Sequence, residues 1–181
     1  MIQTAVFFAD GVEEIESITV VDLLRRASIE TVMVSITGKK EVTGSHGITI
    51  QTDKLIEEIN PSTMSMLILP GGMPGTKNLE NCEMLKNYLK EFNQKDKYIA
   101  DICAAPSILG HLGILQGKKA CAYPGYEKDL LGAKVTENKA VVDGNVITSR
   151  GAGTAFYFAL AIIAELKGKQ EAEHIAASII L

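Results

Sequence analysis

The amino-acid sequence predicts an α/β fold in which a mostly parallel sheet is covered by helices on both faces, with a small β-hairpin near the C-terminal end. Two observations support this prediction. Short apolar segments of strand length alternate with segments of helical spacing over the first 110 residues, and this alternation is typical of parallel sheets connected by helices. The 181-residue chain contains no repeat, low-complexity segment or dividing linker, so we expect one domain over residues 1–181.

Hydrophobic periodicity defines the elements of the first hundred residues. Short apolar runs, or alternation of apolar and polar residues, indicate strands, whereas apolar positions three or four apart indicate helices. Asp53 and Asn81 are expected to cap helices, and Pro61 to close the helix that Asp53 begins. In chain order, we expect a strand at 2–8, a helix at 15–27, a strand at 31–36, short strands at 41–43 and 48–50, a short helix at 53–59, a strand at 64–69, a helix at 83–93 and a strand at 98–102.

The pattern changes after Leu112. Asp143-Gly144 is a common two-residue hairpin turn, and it lies between two short apolar segments. The expected elements of this part are a short strand at 120–122, a hairpin at 139–149, and helices at 154–166 and 170–179.

Composition excludes several classes of function. A net charge of −4 with dispersed Lys and Arg disfavours nucleic acid as a partner. The longest apolar stretch, residues 155–164, is far shorter than the roughly 20 residues of a membrane span. The first residues lack a basic segment, which disfavours a secretory signal. Three cysteines and three histidines show no metal-ligand spacing, so we expect a reduced cytoplasmic protein without a metal or disulfide.

Cys103 lies between the apolar strand at 98–102 and a segment that starts with small residues and continues with helical spacing. A strand–turn–helix of this kind presents a side chain at the carboxyl edge of a sheet, over a helix N-terminus. That position favours the thiolate, so we expect a lowered thiol pKa. Position alone equally allows a small core residue, since free cysteines are often buried.

Three loops are expected to meet at this edge, because ligands of open α/β sheets bind outside the carboxyl ends of the strands. They are the acidic segment 11–16, the segment 70–76 and the turn at Cys103. A partly buried carboxyl group there can stay protonated and move a proton, although a helix dipole alone also explains acidic residues at a helix start. Segment 70–76 is either a tight turn or part of an oxyanion site. The backbone amides of such a site would be those of Gly71, Gly72 and Ala104.

Four segments occur together in this chain: ADGVEEIE at 9–16, LPGGMPGT at 69–76, ADICAAP at 100–106 and TSRGAGTAFYFAL at 148–160. In their order and spacing they resemble the ThiJ/PfpI superfamily, in the branch related to the parkinsonism-associated protein deglycase. The resemblance implies a flavodoxin-like sandwich that is usually a homodimer, with its interface near the Glu16 helix and the hairpin at His46. It also implies glyoxalase-type or deglycase-type activity towards small 2-oxoaldehydes, without an added cofactor.

Carried over residue by residue, the resemblance makes Cys103 the nucleophile and oxidation site and Glu16 the proton-shuttling carboxyl group beside it. Gly71, Gly72 and Ala104 match the residues that line the anion pocket.

One position departs from this resemblance. Most relatives have a histidine where this chain has Tyr123, just before Pro124. A phenol with a pKa near 10 can donate a hydrogen bond but is a poor base at neutral pH. We therefore assign Tyr123 to substrate binding and expect no Cys–His dyad at this position, which disfavours a peptidase.

Asp101 is a carboxylic acid inside an otherwise apolar strand. A buried charge without a partner is unfavourable, so Asp101 should be paired or protonated. On strand alternation it shares a face with Cys103, and Arg150 is a candidate partner. Cys82 and Cys121 are interpreted as structural, since buried cysteines are usually inert.

Three functions remain in order of preference. The first is an enzyme in which the Cys103 thiolate attacks a small carbonyl substrate. The second is a sensor of oxidative stress in which Cys103 is oxidised and held by Glu16. The third, a chaperone or other binding role, has least support because the sequence offers no exposed apolar stripe.

Overall fold

The computed structural model describes residues 2–181 and confirms the predicted fold class. The strands are β1 (Gln3–Phe8), β2 (Glu30–Ser35), β3 (Glu41–Thr43), β4 (Thr49–Gln51), β5 (Lys54–Leu55), β6 (Met66–Leu69), β7 (Tyr98–Ile102), β8 (Lys119–Ala120), β9 (Lys134–Val135), β10 (Ala140–Asp143) and β11 (Val146–Ser149). The α-helices are α1 (Glu14–Arg26), α2 (Gly75–Glu80), α3 (Glu83–Gln94), α4 (Pro106–His111), α5 (Ala155–Lys167) and α6 (Lys169–Ser178).

Seven strands form the main sheet in the order β10-β11-β7-β6-β1-β2-β5. Every neighbouring pair in it is parallel except β10 and β11, which form the predicted antiparallel hairpin. Strands β3 and β4 pair separately as a second, smaller hairpin. This is a flavodoxin-like arrangement, and it brings the carboxyl ends of β1, β6 and β7 side by side.

Alternate residues of the central strands face two separate hydrophobic layers. Ala5 and Phe7 of β1 pack with residues of α2, α3 and α4, whereas Val6 and Phe8 pack with residues of α1, α5 and α6. The strands are therefore buried on both faces, which explains why they are nearly continuous apolar runs in the sequence. None of the helices within residues 2–181 is long and apolar enough to cross a membrane.

Some element predictions were wrong. Asp53 caps no helix: its Oδ2 atom accepts hydrogen bonds from the Met33 amide at 2.8 Å and from Arg25 at 2.7 Å. The residues that follow form β5 and a 3-10 turn over Ile56–Glu58. Asn81 is the C-terminal cap of α2, a helix that the sequence did not predict, and α3 begins after Cys82 without a side-chain cap.

Candidate active site

The loops that follow β1, β6 and β7 meet at one edge of the sheet, as expected. The Glu13 amide donates a hydrogen bond to the Gly71 carbonyl at 2.9 Å, and the Gly75 amide donates to the Gly11 carbonyl at 3.1 Å. Gly72 has a φ of 94°, and a Cβ atom there would meet the main chain of residues 11–13. Glycine therefore permits the close approach of the first two loops.

Cys103 occupies the sharp turn between β7 and α4. Its φ of 67° lies in the left-handed region, which costs about 1–3 kcal/mol for a residue other than glycine. The main chain fixes this conformation from two sides. The Cys103 amide donates to the Ser149 carbonyl at 3.0 Å, and the Tyr123 amide donates to the Cys103 carbonyl at 2.8 Å. The thiol is thereby held at the sheet edge, partly buried.

Glu16 lies in the first turn of α1 with only 1% of its surface exposed. The Glu13 side chain caps this helix, since its Oε2 atom accepts a 2.7 Å hydrogen bond from the Glu16 amide. The Glu16 carboxyl group lies beside the Cys103 thiol, since a Cβ atom added to Gly71 would lie 2.8 Å from Glu16 Oε2 and 3.0 Å from Cys103 Sγ. Glu16 Oε2 accepts a 2.8 Å hydrogen bond from the Gly71 amide. Burial raises the pKa of Glu16 to about 7, although the interactions with the Cys103 thiol and the Gly71 amide act to lower it.

The thiol pKa corrects the sequence-based expectation. Burial, followed by the negative charge and hydrogen bond of Glu16, raises the pKa of Cys103 to about 12. The expected lowering by the helix N-terminus is therefore wrong, because burial and the Glu16 charge outweigh the favourable amides. Those amides belong to Ala104 and Gly72, and they act to lower the pKa of the thiol. Protonation of Glu16 would remove its negative charge, which is the second-largest cause of the raised pKa of Cys103.

Gly71, Gly72 and Ala104 lie around the thiol, but they are not equivalent. The amides of Gly72 and Ala104 act on the Cys103 sulfur and lower its pKa, whereas the Gly71 amide donates a hydrogen bond to Glu16. Because the Gly71 amide is already occupied, the amides left for an oxyanion are those of Gly72 and Ala104, and the oxyanion role expected for Gly71 stays a prediction. Gly71 contributes space instead, since a Cβ atom there would lie 2.5 Å from Cys103 Cβ and 2.8 Å from Glu16 Oε2.

Tyr123 lies near the Cys103 and Glu16 side chains, and it is 51% exposed. A Cβ atom added to Gly151 would lie 3.2 Å from the Tyr123 ring and 3.8 Å from Glu16 Oε1. Gly151 thus allows the tyrosine ring and the glutamate to approach the same segment of main chain. Tyr123, Gly151 and their neighbours line an open cavity of about 530 Å³.

Asp101 is fully buried, and neither of its carboxyl oxygens has a hydrogen-bond partner. Arg150 donates to the Glu137 carbonyl at 3.4 Å instead, so the proposed Asp101–Arg150 pair is wrong. Asp101 shares its strand face with Ile99, whereas Cys103 packs against the opposite layer. The shared face expected for Asp101 and Cys103 is also wrong, because Cys103 lies in the turn beyond β7. Burial raises the pKa of Asp101 well above its usual range, which favours its neutral form.

Glu14 and His46 connect α1 to the turn between β3 and β4. Glu14 accepts hydrogen bonds from the His46 amide and from His46 Nδ1, both at 2.7 Å. Side-chain groups of Glu13, Glu14 and His46 approach within 4.8 Å of one another, as metal ligands do. Both carboxylates already accept hydrogen bonds within the chain, so this arrangement fits a loop anchor.

The other two cysteines lie elsewhere. Cys121 is buried and its amide donates a hydrogen bond to Thr148, while Cys82 precedes α3.

The sequence analysis missed three residues that help to form the site: Glu13, Ser149 and Gly151. The helix cap at Glu13 had a signal, because an acidic residue three positions before Glu16 suits a helix start. Ser149 and Gly151 lie in the segment TSRGAGTAFYFAL, but only the sheet register shows that this segment reaches Cys103.

Several known proteins resemble this chain. It is 35% identical to protein DJ-1 homolog A of Arabidopsis thaliana over 96% of its length, although it spans only 45% of that relative. It is 37% identical to the Parkinson disease protein 7 homolog of Danio rerio, covering 97% of this chain and 95% of that one. A protein named deglycase from Pyrococcus abyssi is 33% identical over 82% of this chain and 89% of its own.

The structural comparison agrees with these similarities. The structure of oxidised DJ-1 from Toxoplasma gondii superposes with a TM-score of 0.96 at 35% identity, covering 99% of this chain and 98% of the other. Residues 3–165 match the description of the DJ-1/PfpI family. This range includes all four sequence segments, the turn that holds Cys103 and the helix that holds Glu16, and the chain therefore belongs to the DJ-1/PfpI family.

Proposed function

We propose that this protein is a cysteine-dependent glyoxalase or deglycase that acts on small 2-oxoaldehydes or their adducts, with Cys103 as nucleophile and Glu16 as proton shuttle. The observation that carries the proposal is the close approach of the Glu16 carboxyl group to the Cys103 thiol in a largely buried site. A pKa of about 7 for Glu16 suits a group that both accepts and returns a proton at neutral pH.

In the first step, Glu16 as carboxylate takes the thiol proton while the Cys103 sulfur bonds to the aldehyde carbon. Transfer of the proton to Glu16 removes the negative charge that disfavours the thiolate. The carbonyl oxygen becomes an oxyanion, which the amides of Gly72 and Ala104 are placed to stabilise. Glu16 then gives its proton to this oxygen, leaving a hemithioacetal.

In the second step, Glu16 removes the hydrogen of the former aldehyde carbon as a proton and delivers a proton to the neighbouring carbon, while the hydroxyl proton of the hemithioacetal passes to the neighbouring carbonyl oxygen. The first carbon is thereby oxidised by two electrons and the second is reduced by two, so no external oxidant is required. The product is a thioester of a 2-hydroxy acid. Water hydrolyses this thioester, which releases lactate when the substrate is methylglyoxal and restores the Cys103 thiol.

The test is methylglyoxal consumption with lactate quantified under reducing conditions. The native protein should form lactate over many turnovers, and Cys103→Ser should abolish it, whereas Cys82→Ser, which changes a thiol far from the pair, should not. Loss of methylglyoxal without a stoichiometric hydroxy acid would contradict the proposal. A deglycase is distinguished by comparing adduct loss with and without a separate methylglyoxal scavenger, because only direct attack on the adduct is insensitive to the scavenger.

Oxidation of Cys103 is the second candidate. The Glu16 carboxyl group and the amides around the sulfur are hydrogen-bonding partners for sulfinate oxygens, and the Toxoplasma gondii structure is that of an oxidised protein. Mass spectrometry after graded peroxide would test it. Selective conversion of Cys103 to sulfinate, without methylglyoxal turnover by the reduced protein, would favour the sensor.

We also propose that the protein forms a homodimer in the cytoplasm. Ile15 and Ile18 on α1 are 55% and 40% exposed, and Ile48 in the turn joined to α1 through His46 is 56% exposed. Exposed isoleucines grouped in this way are typical of an interface. Three free cysteines support a reducing compartment.

A further inference from the structure

The cavity of about 530 Å³ has neither Cys103 nor Glu16 in its lining, but its wall adjoins both residues. Two of its lining residues make the connection. Tyr123 donates its amide to the Cys103 carbonyl, and the Cα of Gly151 faces Glu16 Oε1 closely enough that an added Cβ would lie 3.8 Å from it. A substrate whose aldehyde reaches Cys103 would therefore extend its other end into this cavity.

Charge in the cavity is unevenly distributed. Arg150 and Lys139 line it together with a single carboxylate, Glu137. Among residues 2–181, no carboxylate lies within ion-pair distance of either cation. Arg150 Nη1 makes only a long 3.4 Å contact with the Glu137 carbonyl, while Lys139 is held by the Tyr157 hydroxyl at 2.9 Å. The guanidinium of Arg150 therefore keeps most of its donors for a ligand.

The main chain places Arg150 at a fixed position relative to the thiol. The residue before it, Ser149, accepts the hydrogen bond from the Cys103 amide at 3.0 Å. The Arg150 amide itself donates to Thr154 Oγ1 at 3.2 Å. The remaining walls are the Tyr123 ring, Pro124 and small residues at 151–153, which suit a short apolar stem.

We propose that this cavity binds an anionic group of the substrate, a carboxylate or phosphate joined to the reacting carbonyl by a short apolar stem, and that Arg150 selects for that anion. The proposal rests on the proposed 2-oxoaldehyde chemistry at Cys103 and narrows its substrate class. Arg150 is the residue suited to this role because its planar donors match carboxylate and phosphate oxygens in pairs.

The kinetic test compares 4,5-dioxopentanoate, a 2-oxoaldehyde with a carboxylate, with the neutral 2-oxohexanal. The native protein should have a higher kcat/KM for the anion, by about tenfold or more, as a charge-assisted contact provides. Arg150→Gln should remove most of this preference, and the matched surface variant Lys90→Gln should keep it. Equal kcat/KM values for the two substrates in the native protein, or an equal loss for both in Arg150→Gln, would overturn the proposal.

A binding test separates this proposal from the catalytic one. The unreactive analogue 4-oxopentanoate and inorganic phosphate are titrated separately into Cys103→Ser, with and without Arg150→Gln, and followed by NMR. Binding that needs Arg150 and weakens with salt supports the anion site even if no 2-oxoaldehyde is turned over, and the tighter anion identifies the substrate group. Turnover of a 2-oxoaldehyde without Arg150-dependent binding of either anion would support the proposed enzyme activity and reject the anion site.

Discussion

The Glu16 carboxyl group and the Cys103 thiol lie side by side, since a Cβ atom added to Gly71 would lie 2.8 Å from Glu16 Oε2 and 3.0 Å from Cys103 Sγ, and Glu16 is almost completely buried. Burial raises the pKa of both groups, and the charge of Glu16 raises that of Cys103 further. The two groups therefore disfavour simultaneous ionisation. Protonation of one member makes ionisation of the other easier, which is the property that proton transfer between them requires.

Replacing Glu16 with Gln tests this coupling. The variant should lose about 10²–10⁴-fold in kcat for methylglyoxal, since the proton-transfer group is removed. The pKa of Cys103 should fall, because the negative charge that raises it is gone. Thiolate absorbance against pH measures the second effect. Glu173→Gln on α6 is the charge-matched control, and an unchanged thiol titration in Glu16→Gln would contradict the coupling.

Replacing Gly71 with Ala tests the steric role of this residue. Its new methyl group would lie 2.5 Å from Cys103 Cβ and 2.8 Å from Glu16 Oε2, so the pair must separate. We expect kcat/KM to fall by about 100-fold or more, as small misplacements of reacting groups do. Ala177→Val is the control, because it enlarges an exposed side chain on α6 outside the site. Similar activity in the two variants would show that the Gly71 site can relax.

Replacing Asp101 with Asn tests the pH dependence of stability. Burial raises the pKa of Asp101 in the folded state, so the folded protein retains a proton that the unfolded chain loses above a pKa of about 3.9. The native free energy of unfolding should therefore fall as pH rises from about 4 towards the folded-state pKa. In urea titrations at pH 5 and pH 8, Asp101→Asn should lose less stability between the two than the native protein. Equal losses would show that Asp101 finds a partner when ionised.

The contact between Glu14 and His46 is testable by NMR. The hydrogen bond from Glu14 raises the pKa of His46, while contacts with His46 help to lower the pKa of Glu14 to about 2 against its burial. The contact should stabilise the turn at pH values between the pKa of Glu14 and the elevated pKa of His46. It weakens as the pH falls towards 2, because Glu14 becomes protonated, and as the pH rises through the pKa of His46, because His46 loses its charge. Glu14→Gln should return the His46 pKa towards 6.5. The His174 signals on α6 serve as an internal control, and an unmoved His46 titration would refute the contact.

The proposed dimer is tested by charge insertion. Ile15→Lys should shift the native protein towards monomer in sedimentation equilibrium, weakening association by at least about tenfold, since a buried isoleucine contributes about 1.5–3 kcal/mol. Ile180→Lys is the control, because Ile180 is 96% exposed and lies outside the group of Ile15, Ile18 and Ile48. A monomeric native protein, or equal behaviour of the two variants, would reject this interface.

The sequence predicted the central strands well because burial on both faces leaves a clear apolar signature. Strand β7 matches its prediction residue for residue. Helix α2 was missed because Pro74-Gly75 is typical of a turn, and Asp53 was misassigned because its partners come from α1 and β2. Contacts between distant segments decide such cases, and local propensity does not contain them.

The sequence predicted which residues form the site better than it predicted their pKa values. The resemblance named Cys103 and Glu16, and the structure brings them together. The direction of the thiol pKa was not predictable, because it depends on burial and on a neighbouring charge from another element. The occupied Gly71 amide was likewise invisible, since its acceptor lies 55 residues earlier in the chain.

The left-handed backbone at Cys103 sets activity against stability at a single position. Glycine would relax this turn because it has no Cβ atom, and Asn would be tolerated because its short polar side chain can hydrogen-bond locally. Either replacement would remove the sulfur. A lineage that no longer needed the thiol would therefore drift towards Gly or Asn at residue 103 and become more stable. The backbone conformation at residue 103 therefore gives no structural reason for a cysteine, and Cys103→Gly should give a more stable protein without the thiol.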